Sequence, residues 1–177
     1  MISQALEEIG ERALPDPSIK EQLDQWLAEK VGVVSSETMR SYRAASRCLL
    51  NFLGPAAKGS LRSLTKQRVV DFRNHLRNEG RTPGTVNKIL KSCLAGAFES
   101  ARKEGVIEFN PFVAVDGLKE KRVKKDIFSP EQVAALLEVA RKRDDTDWEG
   151  AILVGYTCGM RQQDVANLKW SSIDVEN

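Results

Sequence analysis

The sequence is poor in the side chains that build metal and redox centres: 177 residues contain one histidine and three cysteines. Cys48, Cys93 and Cys158 stand far apart with no Cys-x-x-Cys pair. This spacing argues against a zinc knuckle or a disulfide framework and predicts three buried thiols. The acidic cluster Asp144-Asp145-Thr146-Asp147 reads as a loop and helix cap rather than a cation site, so a metal nuclease finds no support. No glycine-rich phosphate loop occurs, which argues against an ATPase. Nor is there a run approaching the roughly 18 apolar residues of a membrane span. Met1-Ile2-Ser3-Gln4 lacks the basic-then-apolar layout of a signal peptide, so a cytoplasmic chain with no membrane partner is expected.

What the chain does have is enough apolar content, 41%, to build one large core or two small ones. It also has an uneven charge distribution. Residues 1–37 carry 3 basic and 8 acidic side chains, residues 38–125 carry 19 and 7, and residues 126–177 carry 5 and 10, giving −5, +12 and −5. Such a basic block repels itself unless it is a solvated surface or meets a polyanion, of which nucleic acid is the commonest.

Almost every periodic segment reads as helix. A capping box at Ser18 to Glu21 opens one with Ile19, Leu23, Trp26 and Leu27 on a single stripe. Ser35 or Ser36 caps the next, whose inner face is Met39, Tyr42, Ser46, Leu49 and Leu53 before Gly54-Pro55. Thr65 opens a third through Val69, Phe72 and Leu76. A fourth begins at Thr82, with Pro83 at its first position, and runs to about Lys103. Asn110-Pro111 breaks the chain, and residues 116–127 form the best linker candidate. The capping box Ser129 to Gln132 starts a new domain, followed by helices from about Trp148 to Tyr156 and from Gln162 to Leu168. The only strand hint is Ser172 to Val175. Tyr42, Tyr156, Trp148 and Trp170 read as packing residues, and His75 as a partly exposed helix residue.

Two basic sets stand out. Arg40, Arg43 and Arg47, at i, i+3 and i+7, put three guanidinium groups on one side of a helix with no interleaved acid. They suit phosphates, or a solvated face. Arg81, Thr82, Thr85, Asn87, Lys88 and Lys91 gather around the start of the fourth helix; the cations and hydroxyls suit phosphate and the asparagine could read a base edge, although Thr82 alone could be only a cap.

The second domain carries Gly159-Met160-Arg161-Gln162-Gln163-Asp164-Val165-Ala166-Asn167-Leu168-Lys169-Trp170, then Ile173-Asp174. This stretch resembles the first conserved box of the tyrosine recombinases, the phage integrase family: Gly-aliphatic-Arg-x-x-acid, then Leu-x-Trp and Ile-Asp. The order of the upstream features, from the Ser35 to Thr38 entry to the Phe128 to Gln132 lead-in, fits as well, so the resemblance runs from about residue 18 onward. It implies a mainly α chain: an N-terminal extension at 1–17, a SAM-like four-helix core-binding domain at 18–115, a linker at 116–127, and at 128–177 the truncated, helical start of a catalytic domain. It also implies double-stranded DNA as partner, strand exchange through a 3′-phosphotyrosine without metal or nucleotide cofactor, and tetramers on paired sites.

On that resemblance Arg161 is the catalytic arginine that grips the scissile phosphate and Asp164 the acid that supports it, against the simpler reading of a surface pair. A preorganised arginine fits the extra charge of a phosphorane-like state. Asp164, three residues on, is expected on the same helix face as Arg161. The family's nucleophilic tyrosine, hairpin lysine and His-x-x-Arg pair have no counterpart after Arg161, so this chain is expected to bind DNA as a monomer when free, without recombining it. The alternative is a non-cutting regulator or relic derived from a recombinase.

Overall fold

The structure, a computed structural model, describes residues 16–120 and 126–173. The chain divides into two compact units, Met1–Lys121 and Arg122–Asn177. The described residues are mainly helical, with one isolated bridge, Ser18 to Ser60, in place of any strand. Of the strand hint at Ser172 to Val175, Ser172 lies in a 3-10 turn and the residues after Ile173 lie outside the described residues.

In the first unit, α1 (Ile19–Glu29) starts at the predicted capping box, with Ser18 and Glu21 exchanging both hydrogen bonds. Ser35, rather than Ser36, caps α2 (Ser36–Leu53). Thr65 caps α3 (Lys66–Asn78). The fourth helical stretch runs unbroken as α4 (Pro83–Asn87), a π-helical segment (Lys88–Leu94) and α5 (Ala95–Lys103).

These stretches enclose one core. Phe72, Phe98, Phe112, Leu23, Leu49 and Leu90 are fully buried, and the Phe98 and Phe112 rings meet at 4.7 Å between centroids. The chain after α5 does not leave this core. Asn110, itself buried, donates from Nδ2 to the Ala95 carbonyl at 2.9 Å and accepts from the Phe112 N–H at 3.1 Å. The Asn110-Pro111 break is therefore a hydrogen-bonded reversal that turns Phe112 into the core. Gln22 likewise reaches across from α1 to the Ala97 carbonyl, at 3.2 Å. Both amides satisfy buried polar groups that water cannot reach. Ser46 is inside as predicted, but its hydroxyl has no hydrogen-bond partner among the described residues.

In the second unit the Ser129 to Gln132 capping box and Pro130 open α6 (Pro130–Lys142). Asp145 caps α7 (Thr146–Cys158), which gives the acidic cluster the capping role expected of it. A short α8 (Gln162–Ala166) follows; α6 packs on α7 and α7 on α8.

Burial in this unit corrects three expectations. Tyr156 is 53% exposed and Trp148 55%, so neither is a core residue here, and Cys158 is exposed rather than buried. Apolar side chains are buried only where a facing element exists, and among the described residues of this unit only Val133 and Ala140 are buried apolar residues. In the first unit Cys93 is buried and Cys48 half-buried. Tyr42, half-buried, packs on Trp26 with ring centroids 4.6 Å apart. His75 is partly exposed, as expected, and lies over Phe52. The side chain of Trp170 lies outside the described residues.

Candidate nucleic-acid interface

The first basic set lies on the outer face of α2. Its inner face buries Met39, Ala45, Ser46, Leu49 and Leu53; at 100° per residue this leaves Arg40, Arg43 and Arg47 on a separate stripe, and all three are exposed. Glu37, a turn before the stripe, pairs with Arg40 at 3.0 Å, because i and i+3 are neighbours on a helix. The pair is almost wholly in water and worth at most about 1 kcal/mol, so it does not prevent Arg40 from meeting a stronger anion. Arg43 and Arg47 form no ion pair among the described residues.

The second set surrounds the start of α4, and α2 packs against the π-helical segment that continues it, so the two sets occupy adjoining elements. Thr82 is the cap: its hydroxyl accepts from the Thr85 N–H at 3.3 Å and lies 2.9 Å from the Thr85 hydroxyl. Arg81 and Lys88 are exposed and also form no ion pair among the described residues.

Asn87 and Lys91 do something the sequence did not announce. Lys91 donates from Nζ to the carbonyls of Phe112 at 2.8 Å and Val113 at 3.1 Å. Asn87 brackets Leu118, accepting from its N–H at 2.7 Å and donating to its carbonyl at 2.9 Å. Both residues hold the segment that follows the Asn110 reversal against the helix. Arg73 of α3, absent from the sequence-based set, does the same, donating from Nη1 to the Asp116 carbonyl at 3.2 Å.

In the second unit Gly159 closes α7 at φ +64°, left-handed backbone that favours glycine. The chain thereby turns sharply in front of Arg161, as expected. Arg161 is the N-cap of α8, with φ −69° and ψ 144°, and its carbonyl accepts from the N–H groups of Asp164 at 2.9 Å and Val165 at 3.0 Å. Both side chains are exposed. The expected pairing along a shared helix face is absent: no ion pair joins Arg161 to Asp164 among the described residues, because Arg161 precedes the helix in extended backbone and the i, i+3 rule presumes both residues are helical.

Residues 18–122 match the phage integrase SAM-like domain family. The chain is 28% identical to the defective protein IntQ of Escherichia coli K12 over 99% of its own length and 46% of that protein. It is 27% identical to the ICEBs1 integrase of Bacillus subtilis over 66% of this chain and 31% of that protein. It therefore spans less than half the length of these relatives. Among solved structures, a lambda integrase dimer bound to a COC′ core site superposes with a TM-score of 0.75 at 21% identity, over 90% of this chain and 44% of that one. The Tn1549 transposon integrase in complex with circular intermediate DNA gives 0.71 at 19%, over 91% and 52%.

Proposed function

The chain belongs to the phage integrase SAM-like domain family, and we propose that it is the DNA-gripping portion of a site-specific tyrosine recombinase whose intact form cuts and rejoins duplex DNA through a 3′-phosphotyrosine. We assign residues 18–115 to core binding, 116–127 to the linker and 128–177 to the start of the catalytic domain. The observation that carries the reading is the set Arg43, Arg47, Arg81 and Lys88. These are exposed cations on adjoining elements, with no ion-pair partner among the described residues, inside a block of net charge +12. Arg40, Thr82 and Thr85 extend this surface. Asn87 and Lys91 join it only by exchanging the partners they now hold.

Arg161 would grip the scissile phosphate, and Asp164 would come to its aid once substrate draws the arginine into place. Fixed donors aimed at developing charge are worth most when the phosphate carries its extra negative charge. The fold shared with lambda integrase, solved as a dimer bound to a COC′ core site and as a tetramer bound to a Holliday junction, supports duplex DNA as the partner. We assign the free chain as a monomer that assembles on paired sites.

The test is duplex binding by the 177-residue chain, followed by fluorescence anisotropy of a labelled duplex. Wild type binds with an affinity that falls steeply with salt, and Arg43→Glu combined with Arg47→Glu abolishes binding. Unchanged affinity in the double variant would sink the reading. The same mixtures run on a denaturing gel show no covalent protein–DNA adduct, since the residues after Arg161 offer no tyrosine nucleophile.

A further inference from the structure

Asn87 has no hydrogen-bond donor to spare. Its Oδ1 accepts from the Leu118 N–H at 2.7 Å, one Nδ2 hydrogen goes to the Leu118 carbonyl at 2.9 Å, and the other goes to Glu120 Oε1 at 2.9 Å. A carboxamide carries two N–H donors, so both are used. The segment it holds is pinned elsewhere as well: Arg73 takes the Asp116 carbonyl, and Leu118 packs half-buried against the core.

Glu120 is different. It is exposed, it forms no ion pair among the described residues, and the Asn87 bond is the only hydrogen bond its side chain makes among them. Its second oxygen lies over the first turn of α4, where a methyl group in place of the Gly84 hydrogen would come 3.2 Å from Oε2. A carboxylate therefore rests against Gly84, in the turn that also carries Thr82 and Thr85, which are assigned above to phosphate.

We propose that residues 116–120 form a strap that masks Asn87 in the DNA-free protein, and that duplex binding exchanges the Glu120 carboxylate for a DNA phosphate oxygen on the same Asn87 Nδ2–H. The proposal rests on the DNA-binding reading and deepens it. The donor faces an anionic oxygen before and after, so the exchange costs no hydrogen bond, and the charge-assisted character of the bond is kept. Only the tip of the strap moves; the two bonds to Leu118 and the burial of that side chain keep the rest in place. Glu120 acts as a brake, holding one negative charge and one occupied donor where a phosphate must arrive.

The experiment compares Glu120→Ala with Glu108→Ala in the full chain, by anisotropy on a labelled duplex at fixed salt. Both residues are exposed and both variants remove one negative charge, but among the described residues the Asn87 side chain bonds Leu118 and Glu120 and not Glu108. Glu120→Ala is expected to tighten binding roughly threefold to fivefold, the range set by one exposed charge-assisted contact of about 1 kcal/mol; Glu108→Ala should change it less than about twofold by the same screening argument. In an Asn87→Ala background the added gain from Glu120→Ala should shrink to that of Glu108→Ala. Equal effects of the two glutamate variants in the parent chain, or a Glu120→Ala gain that persists without Asn87, overturns the strap while leaving DNA binding intact. Failure of the wild-type chain to bind duplex overturns both.

Discussion

Lys88 and Lys91 lie within one turn of each other, and the structure gives them opposite jobs, so replacing each by methionine makes a crossed test. Lys91 supplies a cationic donor to two carbonyls, 2.8 Å and 3.1 Å away. Bonds of this kind contribute about 1.5–3 kcal/mol when well shielded. Here one acceptor is part-buried and the other exposed, which reduces the expected loss in Lys91→Met to about 1–2 kcal/mol. In a unit of this size that lowers the melting temperature by roughly 4–16 °C. Below that transition, duplex affinity and its salt dependence should be nearly unchanged.

Lys88 is exposed and makes no ion pair among the described residues, so Lys88→Met leaves the melting temperature within about 2–4 °C of wild type, as for other surface changes. Its effect falls on DNA. One lost phosphate contact lowers the log-log salt slope by about 0.9 and weakens binding about eightfold at 0.1 M salt. Thermal denaturation by circular dichroism and anisotropy over a salt series read the two quantities separately. The assignment is refuted if Lys91→Met costs salt slope without costing stability, or if Lys88→Met costs stability without costing slope.

Two further outcomes follow from the core. Phe98 is fully buried against Phe112, so Phe98→Ala should destabilise the first unit by about 3–5 kcal/mol, read as a fall in the denaturant midpoint; a loss below about 1 kcal/mol would contradict the packing described. Burial pushes the Cys93 thiol up, with nearby Lys88 only partly opposing it, whereas Cys158 is exposed. Because a raised thiol pKa keeps Cys93 neutral in the folded state, it should resist a thiolate-selective disulfide reagent at pH 8 until the chain unfolds, while Cys158 reacts at once. The same shift makes stability fall as pH rises above the unfolded thiol value, since the unfolded chain then releases a proton that the folded one retains. Equal reaction rates for the two thiols in the native protein would contradict the burial of Cys93.

The helices of the first unit were readable because their signals are local. A capping box at Ser18, a serine at 35 and a threonine at 65 sit within four residues of the N–H groups they satisfy, and the apolar stripes repeat within one or two turns. The second unit shows where this stops. Tyr156 and Trp148 have the residue type of a core, but burial is a property of two surfaces, and the facing surface leaves no trace in the stripe itself. Arg161 fails differently. The i, i+3 register holds inside a helix, Arg161 is the cap of one, and element boundaries are the part of a pattern least fixed by periodicity.

Polar roles are hidden from the sequence for a more general reason. Lys91 bonds carbonyls 21 and 22 residues away and Asn87 bonds a backbone 31 residues away. Every residue carries a carbonyl, so an acceptor of this kind has no sequence signature, and a lysine beside a basic stripe looks the same whether it faces solvent or backbone. One signal was nevertheless present. Asn110-Pro111 marks a reversal soon after a long helix, and a chain that reverses there must run back along it, bringing a row of carbonyls past the side chains on that face. Donors within reach of such a reversal should be counted against its carbonyls before any are given to DNA. In the DNA-free chain Lys91 and Asn87 are held by such carbonyls, whereas Lys88, with Arg43 and Arg47 on α2 and Arg81 in the turn before α4, stays exposed as a cation available to phosphate.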